Sequence, residues 1–132
     1  MSLINIVNEL VVSDVASSIK FYEDNFGFVT EFVEVTPITW AQIKKDNIII
    51  MLEDYNEVKN EIMNYPQKSN SSNLIMFEYS SVEEVKDLYN SLKENRVDFF
   101  ANYTETDYGK VEFGICDLDN NMILISASIK KN

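Results

Sequence analysis

Leu10-Val11-Val12-Ser13-Asp14-Val15, continued by Ser18-Ile19-Lys20-Phe21-Tyr22 and Phe26-Gly27-Phe28, is the stretch that decides the fold. It changes period in the middle. Residues Ile4 to Val12 are rich in branched apolar side chains and read as a strand. Ser13 and Asp14 follow as candidate caps, because a short side-chain oxygen can accept from the free amides of a first helical turn. Val15, Ile19, Tyr22 and Phe26 then recur at the spacing of one helix face. Gly27 ends the helix, as suits a residue that tolerates a left-handed backbone. Phe28 to Val35, Thr39 to Lys44 and Ile48 to Glu53 read as three more strands, with Asp46-Asn47 turning between the last two.

The second half repeats this order. Asn73 to Tyr79 is a strand, Ser80-Ser81 caps a helix, and Ser81 with Glu84 has capping-box spacing. Val82, Val85, Leu88, Tyr89 and Leu92 form the helical stripe. Strands follow around Asp98 to Ala101, Lys110 to Cys116 and Met122 to Ser128, with a closing turn at Asp117-Leu118-Asp119-Asn120-Asn121. Ser13-Asp14-Val15 falls on Ser80-Ser81-Val82, so the chain reads as βαβββ twice. The expected organisation is one domain over residues 1–132, with modules at 1–54 and 73–132 and a linker at 55–72. Within the linker, Asn56 to Tyr65 reads as a short helix before Pro66, and Gln67 to Asn73 as an exposed polar loop.

Composition bounds the function. The chain has 132 residues, is 45% apolar, and carries a formal charge of −11 from 22 acidic and 11 basic residues. Such a surface repels nucleic acid and anionic lipid, which need basic partners. It attracts cations, or serves solubility alone. The single Cys116 can form no internal disulfide, which fits a reducing cytoplasm, and it reads as a small buried apolar residue. No signal peptide is evident, and the strongest apolar run, Ile48 to Leu52, is too short to span a bilayer. Histidine is absent, which excludes Ser-His-Asp and Cys-His catalysis. The three glycines form no phosphate loop.

The opening stretch and the ending, Tyr108-Gly109 through Phe113 to Asp117-Leu118-Asp119-Asn120-Asn121, resemble the vicinal oxygen chelate superfamily. That superfamily includes glyoxalase I, ring-cleaving dioxygenases and bleomycin resistance proteins. Its ending usually reads Asp-Pro-Asp-Gly-Asn; here Leu118 replaces the proline and Asn120 the glycine. The resemblance implies an α+β fold in which two βαβββ modules curl into a cupped, open mixed sheet with helices outside. It also implies a homodimer.

In metal-dependent members four strand positions supply ligands, and the resemblance places them at Val7, Met51, Leu74 and Leu124. Divalent ions need oxygen, imidazole or thiolate donors, and none of these side chains is one. The departure is similar to the metal-free bleomycin-resistance branch, which sequesters a cationic ligand. The expectation is therefore no metal and no cofactor. The expected function is metal-independent binding of a small, cationic organic molecule in the cytoplasm, of the antibiotic-sequestering kind. The alternative is a lyase, isomerase or dioxygenase-like enzyme with a non-standard or absent metal site. The enzyme question leans toward a binder.

Strand alternation nominates ligand-facing residues. If Val7 faces the cavity, Glu9 and Val11 share its side, while Ile6, Leu10 and Val12 pack on the helix. Glu9 then either meets a ligand cation or sits on the rim in water. Met51 shares its strand face with Glu53. Trp40, the sole tryptophan, either stacks on a planar or cationic ligand or packs in the core. Phe32, Tyr103, Tyr108 and Phe113 are further aromatic candidates, each with a core or interface role as the alternative. The acidic pairs Glu53-Asp54 and Glu83-Glu84 read as solvated faces and helix N-terminal charges.

Overall fold

A computed structural model describes residues 1–62 and 74–130. The chain divides into two compact units, Met1–Gln67 and Lys68–Asn132. In chain order the first unit holds β1 (Asn8–Val12), α1 (Val15–Phe26), β2 (Val29–Glu34), β3 (Trp40–Lys45), β4 (Ile48–Asp54) and α2 (Tyr55–Glu61). The second holds β5 (Leu74–Glu78), α3 (Val82–Glu94), β6 (Asp98–Glu105), β7 (Lys110–Cys116) and β8 (Met122–Ser128). Each unit forms an open four-stranded mixed sheet, ordered β1-β4-β3-β2 and β5-β8-β7-β6. In each, the first strand runs parallel to the last, and the other pairs are antiparallel. The α+β class and the doubled βαβββ order follow the sequence reading. No described helix is long and apolar enough to cross a membrane.

In the first unit the alternation is sharp. Leu10, Val12, Ala41, Ile43, Ile50 and Leu52 are buried on the side of the sheet that meets α1. The helix returns Val15, Tyr22 and Phe26, and Tyr22 meets Phe28 edge-on at 5.9 Å between ring centres. Ser18, not Ile19, occupies the middle of the buried stripe, where a small side chain lets helix and sheet approach closely. Gly27 has φ of 76°, the left-handed cap expected of it. Asp14 stands at the N-cap, but its carboxylate accepts from the Ser17 hydroxyl at 2.8 Å instead of from a backbone amide. The strand expected from Ile4 begins only at Asn8. Ile6, expected against the helix, is exposed, because the residues before Asn8 have no strand partner on β4.

The second unit repeats the plan around one fully buried aromatic ring, Phe113. Val85 and Leu92 of α3 press on Val111, Ile115, Ile123 and Ile125, all buried. Tyr89 stands edge-on to Phe113 at 5.2 Å and to Phe99 at 5.4 Å. The capping box is present: the Ser81 hydroxyl accepts from the Glu84 amide at 3.2 Å and donates to its carboxylate at 2.9 Å. In the closing turn Asp117 accepts from the amides of Asp119 and Asn121, both at 2.9 Å. Asn120 has φ of 63°, a left-handed position that asparagine tolerates. On the open face, a Cβ added at Gly114 would overlap the Phe100 ring. Cys116 is half-buried, and burial raises its thiol pKa.

The linker reading changes in one respect. The helix spans Tyr55–Glu61, starting at Asp54, whose carboxylate accepts from the Asn56 amide at 2.8 Å. Ile62 is its C-cap, and the remainder of the expected helix, with Pro66 and the whole Gln67 to Asn73 loop, lies outside the described residues.

Phe113 is fully buried in this core. Phe113→Ala should cost about 3–5 kcal/mol, the usual range for an aromatic removed from a core. Urea denaturation of the second unit's transition measures it.

Candidate functional site

The side of the first sheet turned away from α1 carries the site. Strand register sets two adjacent rows across it. One row runs Phe32, Gln42, Met51, Glu9 and the next runs Glu34, Trp40, Glu53, Val11. Four sequence-nominated residues, Glu9, Phe32, Trp40 and Met51, therefore share one sheet face. Phe32 is exposed at 58%, while Trp40 and Met51 are half-buried. The Gln42 amide donates to Glu31 at 2.6 Å, and Lys44 pairs with Glu31 at 3.7 Å.

Helix α2 follows β4 directly and lies against β4 and β1, with Val58 buried beneath it. Glu57 and Glu61 are four residues apart and lie on one helix face. The result is a pocket of about 290 Å³ lined by Glu34, Thr39, Trp40, Glu53, Glu57 and Glu61. One wall is aromatic, and four of the six lining groups are carboxyls.

Glu53 is the unusual member. It is only 8% exposed. Burial, then the charge of Glu9, then a hydrogen bond to Glu61 push its carboxyl pKa up to about 7. The expectation of a solvated Glu53-Asp54 pair is thus half corrected. Asp54 caps α2, but Glu53 points to the opposite side of the strand and is covered by the helix that Asp54 starts.

The other nominated residues belong to the second unit. Phe113 lies on the helix side of its sheet as a core residue, with no surface for a ligand. Tyr103 is half-buried, 5.6 Å from Tyr89, and its hydroxyl is buried without a hydrogen-bond partner among the described residues. Tyr108 is 65% exposed and donates to Glu112 at 2.7 Å, the contact that leads in raising its own pKa. Glu34, Glu57, Glu61 and Thr39 were not nominated. The Glu57/Glu61 spacing was visible in the sequence, but nothing there showed that α2 would fold back over β4.

The donor set does not fit the metal that the superfamily's enzymes hold. Val7 is 51% exposed ahead of β1, Met51 lies in β4, Leu74 opens β5, and Leu124 sits in β8 opposite Met76. None offers an oxygen or nitrogen donor. Among the described residues no three His, Cys, Asp or Glu side chains are arranged to hold a metal ion.

A doubled βαβββ chain with open mixed sheets and a site on the non-helical face defines a glyoxalase-like class. A family model described as the Glyoxalase/Bleomycin resistance protein/Dioxygenase superfamily matches residues 3–125, and the chain belongs to that superfamily. Solved structures agree at the level of fold. A glyoxalase-related enzyme from Fulvimarina pelagi superposes with a TM-score of 0.82 at 14% identity, over 96% of this chain and 89% of that one. A glyoxalase/bleomycin resistance protein/dioxygenase from Nocardioides gives 0.75 at 16%, over 100% and 89%. A lactoylglutathione lyase from Agrobacterium tumefaciens gives 0.73 at 19%, over 93% and 92%. Comparison with curated proteins found no match.

A raised carboxyl pKa gives folding a definite pH dependence. The folded state holds a proton on Glu53 up to about pH 7, whereas the unfolded chain releases it near the ordinary carboxyl value of 4.5. This group therefore lowers stability as pH rises from about 4.5 to 7, and the loss is complete above that. Glu53→Gln should remove that decline and raise stability by ~1–2 kcal/mol at pH 8. Denaturant titrations of both proteins at pH 5 and pH 8 measure it.

Proposed function

We propose that the protein is a metal-independent binder of small organic cations, with cationic antibiotics among the ligands it would sequester. The observation that carries this reading is the pocket against Trp40, where an indole face and four carboxyls converge. Indole faces attract cations, the more so when desolvated, and a buried carboxylate supplies the counter-charge. The formal charge of −11 would draw cations toward the protein from a distance. Four ligand positions without donor atoms favour a metal-free site.

The proposal includes a homodimer without nucleic-acid or membrane partners, working in the cytoplasm. Supporting the dimer, β2 is an edge strand whose Val29 and Phe32 are exposed at 63% and 58%. A second reading, a metal-free lyase or isomerase, is favoured by one feature. A carboxyl titrating near neutrality, as Glu53 does, suits general acid–base work.

A thermal-shift screen run in chelator tests the binder. Cationic aromatic compounds should raise the midpoint, since a ligand selective for the native state stabilises it. Trp40→Ala should weaken binding roughly tenfold, in line with ~1–2 kcal/mol for a partly desolvated cation–π contact. Stoichiometric divalent metal that survives purification and is needed for binding would sink the metal-independent reading.

A further inference from the structure

The pocket holds more acid than it can ionise. Glu53 sits nine-tenths buried at its base. The charged groups facing it are Glu9 from β1, Glu34 from β2, and Glu57 and Glu61 from α2. Among the described residues no lysine or arginine lines the pocket. Lys44, on the same sheet face, is paired with Glu31 instead. Burial among like charges favours the protonated form of Glu53. That proton neutralises part of the pocket's charge.

Resting on the cation-binding reading above, we propose that the site exchanges this proton for the positive charge of its ligand. When a cation enters beside Trp40, the Glu53 proton leaves for solvent. Glu53 then faces the ligand as a carboxylate, so one positive charge replaces another and the pocket's net charge is unchanged. Below neutrality the ligand competes with the proton; above it, the site is already open to the cation. The exchange also selects among ligands. A neutral aromatic of the same shape displaces no proton, so its binding should not depend on pH.

The direction of the Glu53 titration supports this order of events. Its proton is held up to about pH 7 in the absence of a ligand. A bound cation would favour the charged carboxylate and drive the proton off.

Benzyltrimethylammonium is a suitable probe, because its charge is fixed at all pH values. Its binding can be followed by the fluorescence of Trp40, the sole tryptophan. The apparent Kd should fall by up to about tenfold per pH unit between pH 5.5 and 7 and level off above. Calorimetry of the wild-type protein at pH 6, in two buffers of different ionisation enthalpy, should show close to one proton released per probe bound. Glu53→Gln should bind more weakly, with no pH dependence. The calorimetric count needs no variant, so it stands even if that substitution impairs folding. Probe binding with a flat pH profile and no proton release would overturn the exchange and leave the cation-binding reading intact. No binding at any pH would overturn both.

Discussion

The parallel pairing of β1 with β4 is the contact on which both faces of the first unit depend. It places Leu10 beside Leu52 and Val11 beside Glu53. A shift of one residue would reverse every side chain and put a carboxyl against α1. The register is held by hydrophobic burial: Val12, Leu52, Ala41 and Ile43 have no exposed surface. That burial leaves the next residue on each strand no choice but the other face. The acidic pocket is therefore a by-product of the greasy side being fixed.

Most of this was legible in the sequence, for reasons that can be named. The change from period two to period four at Ser13 located β1 and α1, and Gly27 ended the helix where a left-handed residue was needed. Lys110–Cys116 and Met122–Ser128 kept their expected bounds because each is flanked by turn residues. Alternation placed Glu9 and Met51 on the open face, and the strand register adds Trp40 and Phe32 to it. It misjudged the start of β1, since Ile4 and Ile6 look like strand residues but meet no partner. For Phe113 the core alternative holds, since its ring belongs to the Tyr89 cluster on the helix side of β7. The depth of Glu53 could not be read locally. It depends on where α2 lies, and seven residues with one buried valine give little signal of that.

Fold and chemistry separate in this chain. The chain keeps the superfamily's doubled frame, whereas Val7, Met51, Leu74 and Leu124 offer no oxygen or nitrogen donor. Close by, one step along β1 and β4 on the same face, stand Glu9 and Glu53. Oxygen donors thus remain, but they are turned toward one another and an indole. A scaffold can change its guests by such a step without altering its core.

Gly114 and Phe100 leave a quieter mark on the second unit. The ring rests where any side chain at position 114 would have to begin. The two positions therefore form one unit of variation. A larger residue at 114 becomes tolerable only after the ring at 100 has been reduced, and reducing the ring first would bare the backbone of a central strand. Descendants of this chain that reshape the open side of that sheet must pass through a double change, or leave the pair alone.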